Sequence, residues 1–204
     1  MKNKPSKEDI KNQVALIGEF VIRFERISSY IRECILKICY PNHTKNQSNN
    51  IEILLEGLTA DPIRKKLQAL VQDNYTSDTE LLELNKKLSD KFNIVIPYRN
   101  SIVHGSMVVC RKNLNGELDS DKFLLKHPKL TKSGLDKNTM IIETDTIRKL
   151  LYKLTLIENA YLYLKIIITK KTDLERKKIF MEQLKMIIDE IGKIELNFVE
   201  KMDK

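Results

Sequence analysis

The sequence predicts a mainly α-helical fold, and three features support that prediction. The 204 residues include only six glycines and five prolines, with 42% hydrophobic and 31% charged residues, a composition typical of a globular, helix-rich chain. Apolar positions recur in steps of three and four, and two predicted helix starts carry a Ser or Thr followed three positions later by Glu. We therefore expect four to five long helices in a single domain spanning 1–204.

The first predicted helix begins at Ile10 and ends near Pro41. Its stripe consists of Ile10, Val14, Ile17, Val21, Phe24, Ser28, Ile31, Ile35 and Ile38. Only Ser28 in this stripe is polar, and the period is the one with which helices pack nearly parallel in bundles. The following run "NHTKNQSNN" predicts a loop, because its residues prefer turns to helix interiors.

The next helices are predicted from their starts. "IEILLEGL" opens a helical region, and "TADPIRKKLQALVQ" places Pro62 at a first helical position after a capping Thr or Asp. Ser77 and Glu80 form a predicted capping box for the third helix. Pro97 is then expected to restart or kink the helical path, because its ring disfavours the helical conformation for Ile96.

A change of period after Gly105 predicts a small β insertion within the helical domain. "SMVVCRKNLNGELDSDKFLLKH" alternates apolar and polar residues around Asn115 and Gly116, the dipeptide that best suits a tight hairpin turn. "NTMIIET" adds a possible third strand. The segment 106–143 is therefore predicted to be a small β-hairpin insertion, with a partly ordered loop as the alternative.

Two further helices follow the insertion. "TDTIRKLLYKLTLIENAYLYLKIII" is predicted to begin at Asp145 as its cap. "TDLERKKIFMEQLKMIIDEIGKIELNFVEK", residues 172–201, begins with a second capping box formed by Thr172 and Glu175.

Cysteine and histidine usage predicts neither disulfides nor a cofactor. The cysteines are Cys34, Cys39 and Cys110, which form no CxxC pair and are interpreted as core thiols in a reducing compartment. The histidines are His43, His104 and His127. None has a second histidine or a cysteine at metal-ligand spacing, so the sequence offers no local metal motif.

The charge balance favours an anionic partner. With 36 Lys and Arg against 28 Asp and Glu, the formal net charge is +8, which attracts polyanions such as RNA. The alternative is compositional bias, because the lysines are interleaved with glutamates as on a solvated helix face. No run approaches the roughly 20 apolar residues that cross a bilayer, so we expect a cytoplasmic protein with no membrane partner.

The stretch "YRNSIVHG" carries the candidate chemistry. If the chain is helical from Pro97, Asn100 and His104 lie on adjoining turns about 40° apart, with Arg99 within a sector of roughly 140°. A guanidinium binds phosphate and an imidazole transfers protons near neutral pH, which suits metal-free RNA cleavage by the 2′-hydroxyl. Alternatively, Arg99 bonds a carboxylate or helix end, and His104 is an ordinary helix C-terminal residue.

This stretch resembles the Arg-x4-6-His motif of the HEPN superfamily, a family of helical-bundle domains. The resemblance implies a HEPN-like bundle in which Arg99, Asn100 and His104 line a cleft between two protomers and form a metal-independent ribonuclease site. It implies a toxin or anti-phage defence effector, an RNA substrate, a homodimer and an antitoxin or defence-system partner protein. Members with a nucleotidyltransferase antitoxin often carry a Tyr where this chain has Ser106, so modification at that position is not implied.

Three further residues are candidates for substrate or orienting contacts. Tyr98 and Ser101 flank the motif, although Tyr98 projects about 100° from Arg99 and packing is the alternative role. Glu25 is a candidate to orient Arg99, with solvation as its alternative. The alternative for the whole chain is a catalytically inactive HEPN-like dimer that binds protein or nucleic acid.

Overall fold

The computed structural model describes residues 7–112, 118–131, 134–169, 174–196 and 199–201. These residues form a mainly α-helical fold, as the sequence predicts, with six helices in place of the expected four to five. In chain order the helices are α1 (Lys7–Cys39), α2 (Lys45–Leu55), α3 (Ala60–Asn74), α4 (Thr79–His104), α5 (Thr144–Thr169) and α6 (Leu174–Lys193). The region between α1 and α4 divides into two short helices near Gly57, whose φ of 73° suits glycine and ends helical geometry.

The chain divides into two compact units, each assembled from segments that are distant in sequence. The first comprises the described residues of Met1–Ile22, Pro97–Tyr152 and Glu195–Lys204. The second comprises those of Arg23–Ile96 and Lys153–Ile194. The candidate motif belongs to the first unit, and the single-domain prediction stays a prediction.

Aromatic residues form the centre of the second unit. The Phe24 and Phe92 ring centroids lie 5.1 Å apart, and Phe92 meets Tyr161 edge-to-face at 5.8 Å. All three side chains are buried, and such pairs add about 0.5–1.5 kcal/mol to the stabilisation from area burial. Phe24, which the sequence analysis assigned to the apolar stripe of α1, is therefore a core residue.

The α1 stripe is buried only in part. Ile10 and Val14 are exposed, whereas Gln13 and Phe20 are buried, so the predicted inner face is wrong at the start of the helix. The buried residues themselves keep a seven-residue repeat, with one column at Gln13, Phe20, Ile27 and Cys34. The apolar pattern did not indicate the start of this column, because Gln13 is polar.

The predicted loop after α1 is wrong, because α2 begins inside it. Thr44 is the N-cap: its hydroxyl accepts from Gln47 N, and the Gln47 side chain accepts from Thr44 N at 2.9 Å. This Thr-x-x-Gln capping box is the local signal that the loop prediction overlooked.

The predicted position of Pro62 in α3 is wrong. The N-cap of α3 is Thr59, so Pro62 is the third helical residue and not the first.

Two other predicted caps do not occupy the observed N-cap positions. The α4 cap is Asp78 and not Ser77, because Asp78 Oδ1 accepts from Leu81 N at 3.1 Å while Oδ2 accepts from Lys177 Nζ. Helix α5 begins at Thr144, which places Asp145 inside the first turn, where its carboxylate faces the positive helix end. The Thr172 half of the remaining capping box lies outside the described residues.

A buried carboxylate holds two arginines in the second unit. Glu158 on α5 accepts from Arg23 at 3.2 Å and pairs with Arg26 at 2.8 Å, and its side chain is only 8% exposed. The two ion pairs offset the cost of burying this carboxylate. Glu158 therefore fixes α5 against α1 within this unit.

The predicted β-hairpin insertion is present. The strands are β1 (Ser106–Lys112), β2 (Leu118–Thr131), β3 (Gly134–Glu143) and β4 (Val199–Lys201), antiparallel in the order β1-β2-β3-β4. Lys112 pairs with Leu118 across the first hairpin, and the Asn115–Gly116 turn lies outside the described residues. Phe123 and Ile142 are buried cross-strand partners, which anchors β2 to β3.

The prediction of one helix over 172–201 is wrong at its C-terminal end. Helix α6 ends at Lys193, and β4 pairs with β3 through Val199 and Ile141. Backbone pairing with a strand distant in sequence thus replaces the helix that the local pattern predicted. Of the cysteines, Cys34 is buried as predicted, Cys39 is exposed, and the side chain of Cys110 lies outside the description.

Within the described ranges, no helix combines the length and apolar character needed to cross a membrane.

The Asp78 contacts generate a stability prediction. Asp78→Ala should lower the free energy of unfolding by about 1–2 kcal/mol, because it removes the α4 cap and the Lys177 ion pair together. Asp78→Ser, which retains a capping hydroxyl, should recover most of that loss. Urea unfolding monitored by circular dichroism measures both variants, and equal loss in the two would contradict the capping role.

Candidate functional site

The three motif residues lie together at the C-terminal end of α4. Arg99 Nη1 lies 3.5 Å from Asn100 Oδ1 and 3.5 Å from His104 Nε2. The structure thus brings all three side chains to one place, with the guanidinium between the amide and the imidazole. Both distances are long for hydrogen bonds, so the contacts align the groups and leave them able to bind a ligand. Their catalytic role stays a prediction.

The motif combines one sheltered group with two accessible ones. Arg99 is half-buried and its Nε is withdrawn from solvent, while Asn100 and His104 are exposed. A partly desolvated guanidinium binds an anion more strongly than a fully hydrated one. The accessible amide and imidazole can meet a phosphate group that approaches from solvent.

Helix α4 is continuous through Pro97, so the predicted restart is wrong, and the alternative of a kink at Pro97 stays a prediction. Proline cannot donate to the carbonyl four positions earlier, which belongs to Asn93. Both Asn93 and Pro97 are exposed, and water can satisfy that carbonyl. The proline is therefore tolerated, and the helix positions Arg99 and His104 on consecutive turns.

His104 is the last residue of α4. Gly105 N donates to Ser101 O at 2.9 Å, and β1 begins at the next residue. A histidine at a helix C-terminus is favoured by the terminal carbonyls when it is protonated. This position is compatible with proton transfer and with the structural alternative.

The flanking candidates differ in accessibility. Tyr98 is half-buried, and burial raises the pKa of its phenol to about 12, so it is neutral at physiological pH. Ser101 is also half-buried. Glu25 is exposed and belongs to the second unit, whereas Arg99 belongs to the first, and their pairing stays a prediction.

A metal-ligand cluster is not found in the part of the chain that the structure describes. No group of three or more His, Cys, Asp or Glu side chains there could hold a metal ion.

A second concave surface escaped the sequence reasoning. It lies between α1 and α2, encloses about 780 Å³, and is lined by residues that include Arg32, Glu33, Leu36, Glu52 and Glu56. Most of its α2 wall lies in the segment "IEILLEGL", which the sequence predicts to be helical, but a groove between two helices depends on their packing, for which the sequence has no local signal.

Comparison with protein-family models, with curated proteins and with solved structures finds no match for this chain.

The half-burial of Tyr98 generates a titration prediction. Its folded-state pKa lies above the ordinary value of 10.0, so folding favours the neutral phenol. The contribution of Tyr98 to stability should therefore be constant below pH 10 and be lost as the pH rises towards 12. The near-ultraviolet phenolate absorbance of wild type minus that of Tyr98→Phe should show one group titrating near the upper value. A difference curve centred at the ordinary value would contradict the burial.

Proposed function

We propose that this chain is a HEPN-like helical domain that acts as a metal-independent endoribonuclease, a cytoplasmic toxin or anti-phage defence effector. The observation that carries the proposal is the placement of Arg99 Nη1 at 3.5 Å from His104 Nε2 on the accessible end of α4. A phosphate-binding cation and a group that transfers protons near neutral pH are thereby held side by side.

The proposed reaction uses the substrate's own nucleophile. The 2′-hydroxyl of the RNA attacks the adjacent phosphorus, and His104 accepts the proton that this hydroxyl loses. Arg99, assisted by the Asn100 amide, stabilises the charge that develops on the non-bridging oxygens. The 5′-oxygen leaves with a proton, so the products are a 2′,3′-cyclic phosphate and a 5′-hydroxyl.

The stoichiometry of proton transfer favours a homodimer. An imidazole that is accepting a proton from the nucleophile cannot donate one to the leaving oxygen in the same step. A two-fold dimer that brings two motif copies to one cleft supplies the second imidazole. We place that contact on the segment from Pro97 and on its neighbours in the first unit, and we expect an antitoxin or defence-system protein to control the dimer.

The alternative function is a catalytically inactive HEPN-like dimer that binds protein or nucleic acid. The position of His104 at a helix C-terminus favours it, because a histidine there has a structural role that needs no chemistry. Activity measurements separate the two functions.

Cleavage should not need a metal. Purified protein and end-labelled RNA in EDTA should yield fragments that end in 2′,3′-cyclic phosphate, and His104→Ala should lower the rate by about 10²-fold or more. His43→Ala is the matched control, because His43 lies outside the motif and contacts Lys37 and the Tyr40 carbonyl. Strict dependence on added Mg²⁺ or Mn²⁺ would overturn the mechanism. RNA binding without cleavage would favour the binding module.

The composite cleft should be sensitive to one defective subunit. A tagged heterodimer of wild type with an Arg99→Ala/His104→Ala chain should have far less than half the wild-type rate, since its cleft holds one motif. Sedimentation establishes that the sample is dimeric, and initial rates are compared at equal concentration. A fully active monomer, or a heterodimer that retains half the rate, would mean that each chain works alone.

A further inference from the structure

The concave surface between α1 and α2, hereafter the α1–α2 groove, lies in the second unit, whereas the candidate ribonuclease motif lies in the first. We propose that this groove docks a basic, amphipathic helix of a partner protein. Three properties of α2 support the proposal: its exposed apolar side chains, the sign of its charges, and the direction of its dipole.

Helix α2 is apolar on more sides than its own fold covers. Ile51 and Leu55 are buried, whereas Ile53 and Leu54 are 67% and 70% exposed. The apolar residues are confined to the C-terminal half of α2, and the exposed pair extends that half beyond the face that the fold buries. Ile53 is among the residues that line the groove. A partner with aliphatic side chains could cover this exposed apolar surface.

The groove is acidic although the chain is basic. Its lining holds three carboxylates, Glu33, Glu52 and Glu56, against one cation, Arg32, in a chain of formal charge +8. Glu33 pairs with Lys165 at 2.8 Å and Arg32 donates to the Leu58 carbonyl at 3.2 Å.

The other two carboxylates have no such partner. Glu52 and Glu56 are exposed, and no residue in the described ranges forms an ion pair or hydrogen bond with either side chain. The charge that remains available to a ligand in the groove is negative.

The charges of α2 oppose its helix dipole. Lys45 occupies the positive N-terminal end, while Glu52 and Glu56 occupy the negative C-terminal end, and the last turn has no basic residue. Glu52 and Glu56 also repel each other at a spacing of four. A cation bound at the C-terminal end offsets the conflict of Glu52 and Glu56 with the dipole and their mutual repulsion. Charges that oppose the helix dipole are a local departure from the stabilising pattern, and such departures are typical of functional surfaces such as binding sites.

These properties specify the partner. Nucleic acid is excluded from the groove by the same negative charges that attract Lys and Arg. The apolar wall requires aliphatic side chains, and a helix supplies both kinds of group through anchors at i, i+3, i+4 and i+7. The partner segment is thus a helix with one aliphatic stripe flanked by basic residues.

The test compares two synthetic peptides of about 18 residues, long enough to be helical on binding. Both carry the same leucine stripe, and one has Lys where the other has Glu. By fluorescence anisotropy at physiological salt, wild-type protein should bind the Lys peptide with a Kd on the order of 10 μM and the Glu peptide about tenfold more weakly. The Glu52→Lys/Glu56→Lys variant should reverse that preference.

A matched control carries the same change of net charge elsewhere. Glu80→Lys/Glu182→Lys alters two exposed glutamates outside the groove lining and should keep the wild-type preference. Equal affinity for the two peptides, no saturable binding, or a preference unchanged in Glu52→Lys/Glu56→Lys would overturn the proposal. Concentration-dependent self-association of the wild type that this variant abolishes would assign the groove to a second copy of the chain and would also overturn it. None of these readouts depends on RNA cleavage.

Discussion

The candidate site depends on one constraint, the unbroken helical path of α4 through Pro97 to His104. Helical geometry alone turns a five-residue separation in sequence into a 3.5 Å approach between the Arg99 guanidinium and the His104 imidazole. Had Pro97 ended the helix, the two side chains would belong to different elements and their distance would depend on loop conformation. The exposure of Asn93 and Pro97 is what allows the helix to continue, since water can satisfy the orphaned carbonyl.

Most features governed by neighbours in sequence were predictable, apart from the capping box that begins α2, and features governed by distant contacts were not. The helical character, the β1–β2 hairpin and the juxtaposition of Arg99 with His104 follow from local periodicity and turn chemistry. The α4 cap was misplaced by one residue because Asp78, unlike Ser77, also meets Lys177 from α6. The strand at Val199 was missed because its pairing with Ile141 is invisible to any local pattern. The inner face of α1 was misplaced at its start because the buried Gln13 is polar and gives no apolar signal.

The charges on the protein are distributed less uniformly than the formal net charge of +8 suggests. Arg23 and Arg26 are committed to the buried Glu158, so two of the cations counted in the sequence are partly neutralised before any phosphate approaches. The α1–α2 groove holds carboxylates that face solvent. A chain of formal charge +8 therefore presents surfaces of both signs, and its attraction for polyanions is local. Arg99 remains the cation that the candidate site itself contributes.

The order of the sheet has a consequence for how the chain folds. Contacts between β1, β2 and β3 join residues close in sequence, whereas Ile141 pairs with Val199, which lies 58 positions later and beyond two long helices. Closing so long a loop costs more chain entropy than closing a hairpin, and contacts of high sequence separation form slowly. The three-stranded part of the sheet can therefore form as a nascent meander while α5 and α6 are still being synthesised. Its outer edge is completed only after translation has passed β4.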